Sequence, residues 1–217
     1  MRVGILGGTF DPPHVGHILA ASDAYEMLEL DRVTFIPAAQ QPLKAGDGSH
    51  EPVTGNGSRA APADRLEMVR RAVAGDDRFE VSAIEIDRAG LSFTVDTLSE
   101  LAARHPSDTR YLLVGADVLA TFAKWRQPER ILELATLAVF TRTVSGASDA
   151  RNLWDDFRAQ WRAVHGGALA HQPVFLASRR VDVSSTEVRQ RVATGKPIRG
   201  FVPDGVAQYI ADRRLYG

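Results

Sequence analysis

A chain of 217 residues, 44% hydrophobic and 24% charged, has a soluble globular composition and is long enough to bury a substantial core. Its formal net charge of -1 excludes a surface built for general polyanion binding, so neither nucleic acid nor a membrane is expected as a partner and any phosphate recognition has to be local. Cysteine is absent, which excludes disulfides and thiolate metal sites. No apolar run approaches the ~18 residues of a spanning helix, and Met1 to Gly8 lacks a signal-peptide layout, so a cytoplasmic location is the expectation.

The apolar run Val3-Gly4-Ile5-Leu6 reads as a buried strand ending in a tight turn at Gly7-Gly8. From Val15 to Leu30 apolar residues recur at helical spacing, through Ile18, Leu19, Ala21, Tyr25 and Leu28. Val33 to Ile36 is a second strand stopped by Pro37, and residues 45–63, rich in Gly, Ser, Pro and Ala, read as an exposed, mobile loop. Asp64 is placed as the N-cap of a helix through Ala74. Strands follow at Phe79–Ser82, Tyr111–Val114, Leu137–Phe140 and Val174–Leu176. The spacing predicts helices over Thr94–Ala103, Pro128–Leu134, 151–164, 185–193 and 203–213.

Strands and helices alternate, which implies an α/β fold: a doubly wound parallel sheet with helices on both faces, here read as one domain over residues 1–217. The region 143–172 is expected to be variable and helical. Ligands of such sheets sit at the carboxyl ends of the strands, near the topological switch point. Three places qualify: after Leu6, after Val114 and after Leu176.

The segment after Leu6, Gly7-Gly8-Thr9-Phe10-Asp11-Pro12-Pro13-His14-Val15-Gly16-His17, carries the most information. Two glycines let backbone approach a ligand, and a helix beginning near Val15 aims its free amides and positive end at the same region. His14 and His17, three apart, share one face of this helix start, and Gly16 removes a side chain that would crowd them. Imidazoles with free amides suit a phosphoryl group in transfer, whose charge is spread over equatorial oxygens. The same histidines could be half of a zinc site completed by carboxylates, or simple hydrogen-bonding groups at a helix start. A dinucleotide-binding dehydrogenase is a further alternative, but the third glycine of G-x-G-x-x-G is missing and the second strand ends at Ile36-Pro37 rather than at an acid.

This segment resembles the T/H-x-G-H nucleotidyltransferases, and Gly-Gly-Thr-Phe-Asp-Pro-x-His-x-Gly-His is especially similar to bacterial nicotinate mononucleotide adenylyltransferases. The resemblance implies a Rossmann-like fold. It implies direct attack of an acceptor phosphate on the α-phosphate of ATP, with magnesium (Mg2+) accompanying the ATP and no covalent enzyme intermediate. His14 and His17 would stabilise charge, and Gly7, Gly8, Thr9, Phe10 and Gly16 would line the ATP phosphates.

Three other segments carry the resemblance further. Ser92-Phe93-Thr94-Val95-Asp96-Thr97-Leu98 opens a helix, with Ser92 or Thr94 as a good N-cap by itself; it is similar to the family's S-Y-T-x-x-T-L stretch, with Phe93 for the usual tyrosine. That similarity gives Ser92 and Thr94 to the nicotinate carboxylate. Gly115-Ala116-Asp117-x-Leu-x-x-Phe-x-x-Trp matches a family pattern in which the acid meets the ATP ribose and the tryptophan stacks on the pyridine ring, so Gly115, Asp117 and Trp125 take those roles. A helix cap at Asp117 and plain packing by Trp125 are the structural alternatives. Val183-Ser184-Ser185-Thr186-Glu187-Val188-Arg189 reads as a capped amphipathic helix start around Ser185 and resembles I-S-S-T-x-I-R. This resemblance implies triphosphate binding by Ser184, Ser185 and Thr186 and a grip on the leaving pyrophosphate by Arg189.

One segment departs. Pro42-Leu43-Lys44 stands where the family commonly has P-H-K or P-H-R, which leaves Lys44 as the cation for the acceptor phosphate, with Arg142 after the fifth strand as a second candidate. The expected reaction is nicotinate mononucleotide plus ATP giving deamido-NAD and pyrophosphate. The alternatives are a sibling transferase acting on nicotinamide mononucleotide, phosphopantetheine or a CTP-dependent substrate, and a non-catalytic nucleotide sensor. Homo-oligomerisation is compatible with the sequence.

Overall fold

The computed structural model describes residues 1–40, 60–142, 147–167, 169, 172–179 and 181–217, without the side chains of 142 and 147–151. Lys44, the Pro42-Leu43 departure and residues 45–59 of the predicted loop lie outside the described residues, as does the side chain of Arg142.

The described strands are β1 (Arg2–Gly8), β2 (Arg32–Pro37), β3 (Phe79–Val81), β4 (Thr109–Gly115), β5 (Thr136–Arg142) and β6 (Val174–Ser178). They form one sheet in the order β3-β2-β1-β4-β5-β6, parallel throughout, as the doubly wound expectation requires. The order reverses between β1 and β4, whose register pairs Arg2 with Thr109 and Ile5 with Leu112. Gly7–His17 and Gly115–Trp125 leave the carboxyl ends of these two strands, where such sheets bind ligands.

The helices are α1 (Val15–Met27), α2 (Pro62–Val73), α3 (Ile84–Arg88), α4 (Thr94–Arg104), α5 (Ala116–Phe122), α6 (Pro128–Leu134), α7 (Ala147–His165), α8 (Ser185–Ala193) and α9 (Asp204–Asp212). Two short ones, α3 of five residues and α5 of seven, are not among the helices that the spacing predicts. Contacts divide the chain into two compact units: Met1–Leu6 with Ala20–Val33 and Phe93–Arg180, and Gly7–Leu19 with Thr34–Ser92 and Val181–Gly217.

In the first unit β1 is buried along Val3 to Leu6, the pattern of a central parallel strand. Gly4 is required by packing: a Cβ there would lie 2.7 Å from Leu30 Cδ1 and 3.1 Å from Leu113 Cδ1. Phe122, fully buried on α5, meets the Phe157 ring edge-on at 5.9 Å and Trp161 at 6.4 Å, so one face of α7 closes over it. In the second unit α2, α8 and α9 share a core of Met68, Val188, Val206 and Ile210 with Tyr216.

Three local expectations are corrected. The N-cap of α2 is Ala61, followed by Pro62, and Asp64 sits inside the first turn, where it accepts a hydrogen bond from the Tyr209 hydroxyl at 2.8 Å. A proline at the first helical position needs no capping partner for its missing N–H, which lets the helix start three residues early. The irregular stretch accordingly ends before residue 62, and Ala60 is already buried. The N-cap of α4 is Phe93, not Ser92 or Thr94, because the Ser92 hydroxyl accepts from the Ala39 amide at 2.9 Å. The α8 cap is Ser184, which accepts from Glu187 N at 3.1 Å and frees Ser185 for another contact.

Candidate functional site

Gly7 and Gly8 extend β1 instead of turning it. The turn comes later, through Phe10 at a φ of 50° and a cis Asp11–Pro12 peptide. A left-handed φ is costly for an aromatic residue and has to be held by its surroundings. Phe10 is 2% exposed, and the buried Arg65 of α2 donates through Nη1 to the Thr9 carbonyl at 2.7 Å and through Nη2 to Ala39 O at 3.0 Å. Asp11, also buried, accepts from the Tyr216 hydroxyl at 2.6 Å and from Ala60 N at 3.0 Å. Burial and the Asp11 carboxylate both push the Tyr216 hydroxyl pKa up, so the phenol stays a donor.

The start of α8 docks on the same strap. Ser185 Oγ donates to Pro12 O at 2.8 Å, and Arg189 Nη1 donates to Asp11 O at 2.6 Å. The second amino group of Arg189 lies 3.1 Å from the exposed Thr186 hydroxyl. Residues 173 and 178 positions apart in sequence are thereby joined.

At the start of α1 the His14 and His17 rings lie tilted by 33° with centroids 3.8 Å apart, and the Phe10 ring packs edge-on against His17 at 5.0 Å. The backbone N–H of His14 donates to His17 Nδ1 at 3.1 Å. That bond occupies the Nδ1 lone pair and assigns the ring proton to Nε2, making His17 a fixed N–H donor. His14 Nδ1 is buried and has no partner among the described residues. A Cβ on Gly16 would lie 2.9 Å from that atom, which is why the histidine pair needs glycine between its members. Phe10, by contrast, has a buried side chain, so its place is beneath His17.

Burial lowers the pKa of His14 to about 4; burial first, then repulsion from His14, lowers that of His17 to about 3. Both rings are therefore neutral at physiological pH and act by hydrogen bonding. The unfolded chain carries these histidines near pKa 6.5, so between pH 6.5 and about 4 it binds more protons than the folded one. Their contribution to stability is complete above pH 6.5 and is lost as pH falls through the folded values. Ring C–H resonances of both residues are expected to stay in the neutral position from pH 8 to 5, which an NMR titration checks. Normal titration near pH 6.5 would contradict the neutral assignment.

In the first unit Gly115 is the N-cap of α5, and Asp117 lies in its first turn without a side-chain cap bond. A Cβ on Gly115 would collide with the Asp117 carboxylate, so glycine leaves that carboxylate its place. Trp125 is half-buried, its ring 5.4 Å from Phe122, and its Nε1 has no partner among the described residues. The Phe93 cap of α4 makes no side-chain cap bond, and the Asp96 N–H donates to the Phe93 carbonyl at 3.1 Å, which leaves the amides of Thr94 and Val95 as the candidate donors of this helix start.

The second unit thus carries a buried histidine pair beside the start of α8, and the first unit a half-buried indole. A cytidylyltransferase-like family model matches residues 5–191. The chain is 45% identical over 216 residues to a protein of Gemmatimonas aurantiaca named as a probable nicotinate-nucleotide adenylyltransferase, covering 100% of this chain and 92% of that one. A namesake from Thermus thermophilus is 40% identical, with both chains covered in full (100% each). The chain belongs to the nicotinate-nucleotide adenylyltransferase family. Its fold is shared by the Plasmodium falciparum nicotinic acid mononucleotide adenylyltransferase complexed with NaAD, at a TM-score of 0.69 and 15% identity over 99% of this chain and 97% of that chain. Full-length likeness to nicotinate-nucleotide adenylyltransferases removes the dehydrogenase alternative as an account of the His14–His17 segment. Arg65, Asp11 and Tyr216 are the site residues that motif reading passes over: Asp11 stands inside the strap sequence, but only its burial identifies its carboxylate as an anchor.

Proposed function

We infer that the chain transfers the adenylyl group of ATP to nicotinate mononucleotide, giving deamido-NAD and pyrophosphate in the synthesis of NAD. The observation that carries this reading is the neutral histidine pair, with the His17 tautomer fixed by the His14 N–H, in a chain of full-length family likeness. An oxygen of the acceptor's phosphate attacks the α-phosphorus of ATP. The bond from that phosphorus to the α–β bridging oxygen breaks, and pyrophosphate leaves with the bridging oxygen. An ionised phosphate carries its own electron pair, so no general base is assigned.

In this reading His17 Nε2–H and His14 donate to the α-phosphate and bridging oxygens as charge builds there. Gly7, Gly8 and Thr9 bring backbone against the phosphates, and open space around Gly7 supports that approach. Ser184, Ser185 and Thr186 at the α8 start receive the triphosphate, with Arg189 on the leaving pyrophosphate. The docking of Ser185 on Pro12 and of Arg189 on Asp11 supports their assignment to the same phosphates as the strap. Gly115 and Asp117 meet the ATP ribose. Ser92, Thr94 and Trp125 take the nicotinate ring, and Lys44 and Arg142 take the acceptor phosphate.

Magnesium accompanying the ATP would supply neutralisation of part of the triphosphate charge. An ion of this kind would be held mostly by phosphate oxygens and water. The whole chain is proposed to work as one adenylyltransferase domain in the cytoplasm, without a nucleic-acid partner; the family match over 5–191, which crosses both compact units, supports the single domain.

The reading is tested by pyrophosphate release from ATP across a panel of acceptor mononucleotides, phosphopantetheine included. Turnover with nicotinate mononucleotide well above the rest supports it; binding of ATP without turnover of any acceptor sinks it. Replacing Trp125 by alanine is expected to weaken nicotinate mononucleotide by about 1–3 kcal/mol, a stacking-sized loss, and to leave ATP affinity nearly unchanged. Calorimetric titration of each ligand checks this, and an equal loss for ATP would remove Trp125 from the pyridine ring.

A further inference from the structure

Arg126 directly follows Trp125 and lies at the start of α4. Its guanidinium sits 4.7 Å over the centroid of the Phe93 ring, and Nη1 is 3.5 Å from Asp96 Oδ2. Phe93 is the N-cap of α4 and Asp96 belongs to its first turn. An arginine is the wrong charge for this position, because a helix start is the positive end of its dipole and favours anions. Asp96 compensates in part, at a distance that engages a single N–H of the five that a guanidinium carries. Among the described residues no other hydrogen bond of Arg126 is formed, and about half of each side chain in the pair is open to solvent, at 51% and 40%. An exposed pair of this kind adds little to folding. One guanidinium and the amides of a helix start therefore face one carboxylate, which leaves room for a second anion.

We propose that Arg126 is a specificity-determining residue that tunes the acceptor site towards an acidic pyridine ring, supplying the cation for the ring carboxylate and cancelling the repulsion of Asp96. The proposal rests on the assignment of Thr94 and Trp125 to the acceptor ring. Phe93 holds the guanidinium plane by cation–π contact, so the charge is placed before substrate arrives. The carboxylate then accepts from the α4 amides and from Arg126 together. A carboxamide gains nothing from the same cation.

The test compares kcat/KM for nicotinate and nicotinamide mononucleotides in wild type, Arg126→Ala, Arg126→Gln and Arg126→Ala with Asp96→Asn. Both single variants are expected to lose ~10- to 100-fold with the nicotinate form, the scale of a hydrogen bond to a charged group. The nicotinamide form is expected to change by less than about threefold, since its neutral ring substituent makes no charge-assisted bond. KM for ATP stays the same. Removing the Asp96 charge from the alanine variant restores part of the nicotinate rate, because the uncompensated carboxylate no longer repels the substrate. An equal loss for both acceptors, or an unchanged ratio between them, overturns the role of Arg126. Wild-type enzyme that ignores nicotinate mononucleotide overturns the acceptor assignment itself, and that result is read before any variant is compared.

Discussion

Alanine at His17 is expected to lower turnover by ~100-fold or more, the scale for losing one preorganised donor to developing charge. The imidazole is neutral, its Nδ1 is held by the His14 N–H at 3.1 Å, and its proton is on Nε2. It is preorganised in the literal sense: the ring has one tautomer and one orientation before ATP binds, with Phe10 packed against it. The loss should fall on kcat with little change in KM for either substrate, because the bond strengthens as charge builds on the α-phosphate. Steady-state pyrophosphate release by the purified variant is the measurement, with its unfolding midpoint taken alongside. Turnover within a few-fold of wild type in a folded variant removes His17 from the mechanism. Asparagine at the same position keeps an N–H donor of shorter reach and should recover part of the rate, which a purely structural role would not produce.

The ratio of kcat/KM for nicotinate over nicotinamide mononucleotide, measured at saturating ATP, is expected to be on the order of 10³ or more. The two substrates differ by a carboxylate against a carboxamide. The start of α4 offers donors: its cap residue, Phe93, places no side-chain oxygen on the first-turn amides. A carboxylate can accept from the amides of Thr94 and Val95, whereas a carboxamide that turns its NH2 group towards them leaves bonds unmade. Asp96, the nearby acid that could welcome that NH2, is paired with Arg126. A ratio near one, or one favouring the amide, sinks the nicotinate assignment and leaves adenylyl transfer standing.

Much of this was legible in the chain itself. Alternating apolar strands and amphipathic helices determined the doubly wound class, and β2, α6 and α8 lie where periodicity and punctuation put them. The spacing of His14, Gly16 and His17 was enough to place two imidazoles on one helix start, since three residues is close to one turn. These are local properties: a few neighbouring residues fix the period and the turn. What local pattern could not reach was who partners whom across the chain. Ser92 and Asp64 look like caps because short polar residues usually bond the nearest backbone, yet tertiary neighbours override that preference, Ala39 N for Ser92 and the Tyr209 hydroxyl for Asp64. Arg65 looks like any charge in an amphipathic helix, and only its burial reveals that it holds the Thr9 carbonyl.

The charge state of the histidines belongs to the tertiary level as well. A sequence shows two imidazoles of ordinary pKa; burial makes both neutral, and repulsion from His14 adds to the effect of burial at His17. By itself the sequence determined the sheet, the helix starts and the residue types for phosphate chemistry, because those follow from periodicity and spacing along one segment. Only the folded chain decided which proton His17 carries, which serine caps α8, and that Asp11 and Tyr216, 205 positions apart, meet beneath the phosphate strap, because hydrogen-bond partners and desolvation are set by packing between segments that the sequence keeps far apart.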